Sequence, residues 1–286
     1  MSISTIGVIG AGQMGIGIAQ VSAQAGYTVL LGDLDLETAE AGIAKIAKAV
    51  ARLVEREKMA APDADRLLGR IEPIDGNKRF ATCDLVIEAA TEREDIKRRI
   101  FDGLRNILRD DAILASNTSS IPITRMAQAA PDARRFIGLH FFNPVPIMGL
   151  IEIIPGLATA KETVAAVSAY ADSLKKEIVT AEDEPGFVVN RILLPMINEA
   201  VFVLGQGTAN IADIDKGCRI GLNHPMGPLE LADLIGLDTC LAIADVLHRE
   251  LGDDKYRAAN VLRMHVAAGW HGRKTGRGFY NYKDRK

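Results

Sequence analysis

The first third of the chain switches repeatedly between two apolar periods. Residues 5–9 and 28–31 are short apolar runs that read as strands, while 13–25 between them carries apolar residues at helical spacing. Such alternation is the pattern of parallel strands joined by crossover helices. Over 36–58 the apolar positions Ile43, Ile46, Ala47, Val50, Leu53 and Val54 recur every three or four residues, which predicts one long amphipathic helix ended by a turn at Pro62. Further strands are predicted at 85–88, 113–115, 136–139 and 150–154, with a helix over 94–107 and mixed strand direction at the far edge of the sheet.

The character changes near residue 185. Glu182-Asp183-Glu184-Pro185-Gly186 is acidic and turn-prone, and beyond it only helical patterns remain, at 188–204, 211–217, 229–247 and 256–267. The expected fold class is α/β, with a Rossmann-type dinucleotide-binding domain over 1–184 followed by an all-α domain over 185–286. Segments 188–204 and 229–247 are apolar around much of their circumference, so the helical domain is expected to pair with a second copy as a homodimer.

Composition narrows the function classes. The 34 Lys and Arg nearly balance the 37 Asp and Glu, a net charge of −3, so no global field attracts nucleic acid or an anionic membrane and any basic site must be local. No apolar run approaches the ~18 residues of a membrane span, and no basic leader precedes the first strand. Cys83, Cys218 and Cys240 are widely separated and offer neither a disulfide framework nor a metal cage. A cytoplasmic, metal-free protein is expected.

The strand at 5–9 runs directly into Gly10-Ala11-Gly12-Gln13-Met14-Gly15, and the helical pattern starts at once. In a dinucleotide fingerprint the first glycine makes the tight turn, the second lets backbone approach a pyrophosphate, and the third lets helix pack on strand. The helix N-terminus then offers its N–H groups to the phosphates. Asp33 follows 18 positions after Gly15, close to the roughly 20 expected of the carboxylate that holds the ribose hydroxyls. A carboxylate there repels a 2′-phosphate, which favours NAD over NADP. The alternative is that Asp33 merely caps the next helix.

A nicotinamide enzyme that oxidises an alcohol needs a base to take the hydroxyl proton, and histidine suits this near neutral pH. His248 and His265 lie on helical faces, His271 sits in a tail loop, and His224 stands in a turn between Asn223 and Pro225. His140 differs, since it follows the apolar strand 136–139 and opens the loop that begins with Phe141, and ligand crevices lie at such strand ends. Glu152 stands among Ile151, Ile153 and Ile154, where a carboxylate needs a partner unless its strand edge faces water. If the second strand folds back on the first, Glu152 can hold the imidazole of His140.

Five segments then become recognisable together: Ala115-Ser116-Asn117-Thr118-Ser119-Ser120, His140-Phe141-Phe142-Asn143-Pro144-Val145-Pro146, Pro185-Gly186-Phe187-Val188-Val189-Asn190-Arg191, His224-Pro225-Met226-Gly227-Pro228, and Gly272-Arg273-Lys274-Thr275-Gly276-Arg277-Gly278-Phe279-Tyr280. Across essentially the whole chain they resemble the 3-hydroxyacyl-CoA dehydrogenases, above all the stand-alone bacterial ones acting on 3-hydroxybutyryl-CoA. The resemblance implies hydride transfer between NAD and the C3 position of a short-chain (S)-3-hydroxyacyl-CoA. It implies that His140 is the base, Glu152 its partner, and Ser119 and Asn190 the groups on the reacting oxygen; from the residues alone these two read equally as a turn hydroxyl and a helix cap. It further implies cofactor contacts at Glu92, Lys97, Ser119, Asn143 and Lys274. Lys45, Lys48, Arg52 and Arg56 form a basic ridge on the long helix, either a solvated face or, as the resemblance implies, a surface for coenzyme A with Arg52 and Arg56 matching best. Gly149 departs from the lysine that family members often carry there.

Two rival functions are weighed against this. A β-hydroxyacid dehydrogenase of free acids would resemble this layout but need a lysine four residues before the asparagine, where this chain has Gly186. A non-catalytic NAD-binding protein would not need Ser119, His140, Glu152 and Asn190 together.

Overall fold

The computed structural model describes residues 3–283. It divides into two compact units, Met1–Glu184 and Pro185–Lys286. In the first, β1 (Thr5–Ile9), β2 (Thr28–Gly32), β3 (Ile71–Ile74), β4 (Leu85–Glu88), β5 (Ile113–Ser116), β6 (Phe136–Phe141), β7 (Leu150–Pro155) and β8 (Glu177–Thr180) form one sheet. Its order is β3-β2-β1-β4-β5-β6-β7-β8. Pairing is parallel from β3 through β6; β7 turns back antiparallel against β6, and β8 runs parallel to β7, so direction is mixed at the far edge as expected.

Alternate strand residues explain the core. Ile6 and Val8, Val29 and Leu31, Leu85 and Ile87, Ile113 and Ala115, and Ile137 and Leu139 share one buried cluster with Ile18 of α1 (Gln13–Gln24), Ile46 and Val50 of α2 (Leu36–Glu55), Leu67 of α3 (Ala61–Leu68) and Val167 of α6 (Lys161–Ser173). The other parity, which includes Phe136, meets Phe101 of α4 (Glu94–Gly103), the two rings 5.2 Å apart, while Ile123 of α5 (Ile123–Met126) packs on Gly138. Strands buried on both faces must be apolar at nearly every position, which is why they read as continuous runs.

The long helix is shorter than its pattern suggested. α2 ends at Glu55, and Pro62, expected to mark a turn, instead stands in the first turn of α3, where a missing N–H costs nothing. Asp35 caps α2 by accepting the Thr38 N–H at 2.7 Å, so the capping role weighed for Asp33 belongs two residues later. β3, α6 and β8 lacked a clear signal. Pro73 interrupts β3, tolerated because that strand is the sheet edge, and β8 is only half-buried.

The second unit is helical: α7 (Val189–Gly205), α8 (Ile211–Gly221), α9 (Pro228–Ile235), α10 (Leu237–Leu251) and α11 (Asn260–Ala267). The single helix expected over 229–247 is two, broken at Gly236, whose φ of 107° is closed to most side chains. Leu194, Ile197, Val201, Leu229, Leu237, Leu247 and Leu262 make its core. Buried Asp233 anchors the tail by accepting the Phe279 and Tyr280 N–H groups, each at 2.9 Å.

Candidate active site

The parallel strands β1, β4, β5 and β6 finish along one edge, and the order reverses between β1 and β4, the switch point where open α/β sheets hold ligands. The fingerprint loop sits there. Gly10 has φ 107°, and a Cβ on it would lie 2.7 Å from the Ala89 carbonyl oxygen. A Cβ on Gly15 would lie 1.7 Å from the Gly10 oxygen, so α1 packs on the loop at a distance that excludes any side chain. A Cβ on Gly12, by contrast, would meet nothing within 4 Å. No side chain caps α1, so its first N–H groups are left for a ligand, with Gln13 and Met14 opening the helix behind Gly12. The Asp33 carboxylate receives the Ala11 N–H on one oxygen and the Leu34 N–H on the other at 2.7 Å. Carboxylate oxygens keep further acceptor capacity, so this arrangement fits the ribose of NAD.

β6 extends through Phe141, two residues beyond the expected strand, so His140 is a strand residue rather than the start of a loop. Its directly opposed neighbour in the antiparallel ladder is Glu152. Opposed residues share a sheet face, and Nδ1 of His140 lies 2.7 Å from Oε2 of Glu152. Glu152 is fully buried and His140 nearly so. A carboxylate only accepts, which puts the ring proton on Nδ1 and makes Nε2 the basic nitrogen. The pair therefore has what a general base requires: one tautomer, one orientation and a counter-charge for the imidazolium. The Phe141 N–H is pinned by Asn117 Oδ1 at 2.9 Å, and the Phe142 ring tilts against the imidazole at 4.5 Å.

Glu92 gathers the loop after β5. Its Oε1 accepts from Thr118 Oγ1 at 2.7 Å and from Ser119 through N–H at 2.8 Å and hydroxyl at 3.0 Å. Lys97, read from the resemblance as a cofactor contact, is buried on α4 with Nζ on Glu88 Oε2 at 2.6 Å and 3.8 Å from Glu92 Oε2. Asn143 is exposed in the loop after β6. The carbonyls of Val145 and Met148 in that loop accept from Lys176 Nζ at 2.8 and 2.5 Å, and burial lowers that ammonium's pKa. Neither Glu88 nor Lys176 was singled out by the sequence. A charged residue closing the apolar run Leu85-Val86-Ile87 was the available sign for Glu88; Lys176 left none.

In the helical unit, Asn190 is buried in the first turn of α7 but is not its cap, a position Val188 takes. Lys274 pairs with Asp238, Nζ to Oδ1 at 2.6 Å. On α2 the side chains of Lys45, Lys48 and Arg52 are exposed, with Arg56 exposed just past the helix end, and none has an ion-pair partner among the described residues. Gly186 has φ 78°, a backbone conformation that a lysine adopts only under strain, and a Cβ there would lie 2.8 Å from the Leu247 side chain.

Two family models match the chain in succession: 3-hydroxyacyl-CoA dehydrogenase, NAD binding domain, over residues 5–184, and 3-hydroxyacyl-CoA dehydrogenase, C-terminal domain, over 186–282. The chain is 50% identical to a 3-hydroxybutyryl-CoA dehydrogenase of Bradyrhizobium diazoefficiens, across 99% of this chain and 97% of the relative. It is 48% identical to a probable 3-hydroxybutyryl-CoA dehydrogenase of Bacillus subtilis, across 100% and 99%. The crystal structure of (S)-3-hydroxybutyryl-CoA dehydrogenase PaaH1 from Ralstonia eutropha has a TM-score of 0.96 to it at 49% identity, covering 99% of this chain and 100% of that one. With both of its units matched and such relatives along its full length, the chain belongs to the 3-hydroxyacyl-CoA dehydrogenase family.

Proposed function

We propose that the chain catalyses reversible NAD-dependent oxidation of the C3 hydroxyl of a short-chain (S)-3-hydroxyacyl-CoA, interconverting 3-hydroxybutyryl-CoA and acetoacetyl-CoA in fatty-acid or butanoate metabolism. The observation that carries this reading is the buried His140–Glu152 pair at 2.7 Å. NAD, when bound, supplies the hydride acceptor, and the fingerprint Gly10 to Gly15 with Asp33 would hold it. Nε2 of His140 takes the hydroxyl proton as the C3 oxygen becomes a carbonyl, and returns it in the reverse direction. Glu152 steadies the imidazolium formed meanwhile. Ser119 and Asn190 donate to the oxygen, stabilising it most where its charge is greatest. Glu92, Lys97, Asn143 and Lys274 serve the cofactor, and Arg52 and Arg56 meet the coenzyme A phosphates as point charges on an exposed face. The enzyme acts in the cytoplasm as a homodimer through its helical unit, a reading that three unbridged thiols and the exposed apolar residues of α7 and α9 support.

The free-acid alternative is disfavoured because Gly186 has no side chain and holds a φ of 78° at which a lysine would be strained. The test is a steady-state assay of NADH oxidation with acetoacetyl-CoA, longer 3-ketoacyl-CoA thioesters and free acetoacetate, repeated with NADPH. Turnover is expected with acetoacetyl-CoA and NADH. Equal turnover of free acetoacetate removes the thioester from the substrate, and absence of turnover with every thioester leaves a non-catalytic NAD-binding protein.

A further inference from the structure

Glu88 closes β4 with no exposed surface, and the hydride transfer above makes no use of it. Across the strand ends its register neighbours are Ile9 of β1, the residue before the first fingerprint glycine, and Ser116 of β5. Both of its carboxylate oxygens are engaged: Oε1 accepts the Ala90 N–H at 2.9 Å, and Oε2 accepts from Lys97 Nζ at 2.6 Å and from Ser116 Oγ at 2.8 Å. The Ala89–Ala90 segment held in this way is the one that lies against Gly10. Lys97 extends the connection on the other side, since its ammonium stands 3.8 Å from Glu92, whose second oxygen gathers Thr118 and Ser119. A buried ion pair is a poor source of stability compared with apolar packing of the same volume, so a hydrogen-bonded one directly beneath a ligand edge calls for another purpose.

We propose that Glu88 is a positioning residue for the cofactor side of the site. Through Ala90 it sets the backbone that abuts the fingerprint turn, and through Lys97 it aims Glu92 and the Ser119 loop, so that this edge of the sheet is in its binding geometry before NADH arrives. The inference rests on the NAD-site reading above.

The experiment is a fluorescence titration of NADH into Glu88→Gln, Lys97→Met, the double variant and Asp33→Ala, with urea unfolding of each and steady-state constants for acetoacetyl-CoA. Folded Glu88→Gln is expected to bind NADH about tenfold more weakly, the scale of one charged hydrogen bond, and to lower kcat for acetoacetyl-CoA as well, because the Ser119 loop that it aims also serves the reacting oxygen. Lys97→Met should lose a similar factor, and the double variant no more than the worse single one, because both break one connected chain. A Kd within about twofold of wild type in folded Glu88→Gln, where Asp33→Ala does weaken binding, makes Glu88 a prop of the sheet only and overturns the proposal. Fully additive losses overturn the connection through Lys97. An unchanged Kd in Asp33→Ala removes the NAD-site reading and this inference together. If Glu88→Gln does not fold, Ser116→Ala strips one donor from the same oxygen while keeping the ion pair; about threefold weaker NADH binding is expected, and no change overturns the proposal.

Discussion

At the scale of single residues, the proposed chemistry turns on one imidazole and one carboxylate. His140 and Glu152 are opposed in an antiparallel ladder, so their 2.7 Å contact is set by backbone register rather than by flexible side chains. A base held in this way loses little entropy when it takes a proton, and burial of the carboxylate strengthens its pull on the imidazolium. Replacing His140 with Gln should lower kcat by about 10²-fold or more, the usual scale for a general base, while NADH binding is retained. Stopped-flow turnover beside an NADH titration separates the two quantities, and near-normal turnover removes His140 from the mechanism.

Elements carry these residues to their places, and two of them can be probed directly. Asp84, just before β4, ties down the start of β1: its Oδ2 accepts the Ser4 and Thr5 N–H groups at 2.8 and 2.9 Å, and Oδ1 accepts Arg109 at 2.8 Å. Burial by itself would raise this carboxyl, but the Thr5, Arg109 and Ser4 hydrogen bonds outweigh it and bring its pKa down to about 2. The folded value lies below the unfolded one of ~3.9, so the tether's contribution is complete above that pH and is lost as pH falls through about 2. Between about pH 5 and pH 3 the urea midpoint of the wild type should therefore fall further than that of Asp84→Asn; parallel falls would show that the tether carries no acid sensitivity. The exposed face of α2 is the second probe. Arg52→Glu with Arg56→Glu should raise the KM for acetoacetyl-CoA by roughly tenfold at low salt and by less at high salt, with NADH binding unchanged. A KM insensitive to both the charges and the salt would return that ridge to an ordinary solvated face.

At the scale of the whole molecule, the helical unit keeps more apolar surface than its own core absorbs. Ile192 on α7 is 67% exposed and Leu234 on α9 is 50% exposed, although Leu194 and Leu229 on the same two helices are buried. Exposed apolar side chains of this size gain from a second subunit, and a two-fold dimer uses each of them twice. Ile192→Asp combined with Leu234→Asp is expected to shift the chain from dimer to monomer in light scattering while its circular dichroism stays helical. Wild-type protein that scatters as a monomer would dispose of the dimer.

The sequence by itself determined the strand and helix alternation of the first unit, the helical nature of the second, the fingerprint turn and which histidine is the candidate base, because each of these is written in residues close together along the chain. Hydrophobic period reports which face an element buries, and glycine reports where backbone or ligand must come close. Neither reports which strand lies beside which. The sequence could pair Glu152 with His140 only on the condition that one strand folds back on the other; the tertiary structure meets that condition, and it alone sets Ser116 beside Glu88 from 28 residues away and buries Lys97 between two carboxylates. It also decided where α2 stops, that Pro62 begins a helix instead of closing one, and that Gly236 breaks another. Those outcomes depend on lateral order and register in the sheet, which is a competition among distant packings that no local pattern encodes.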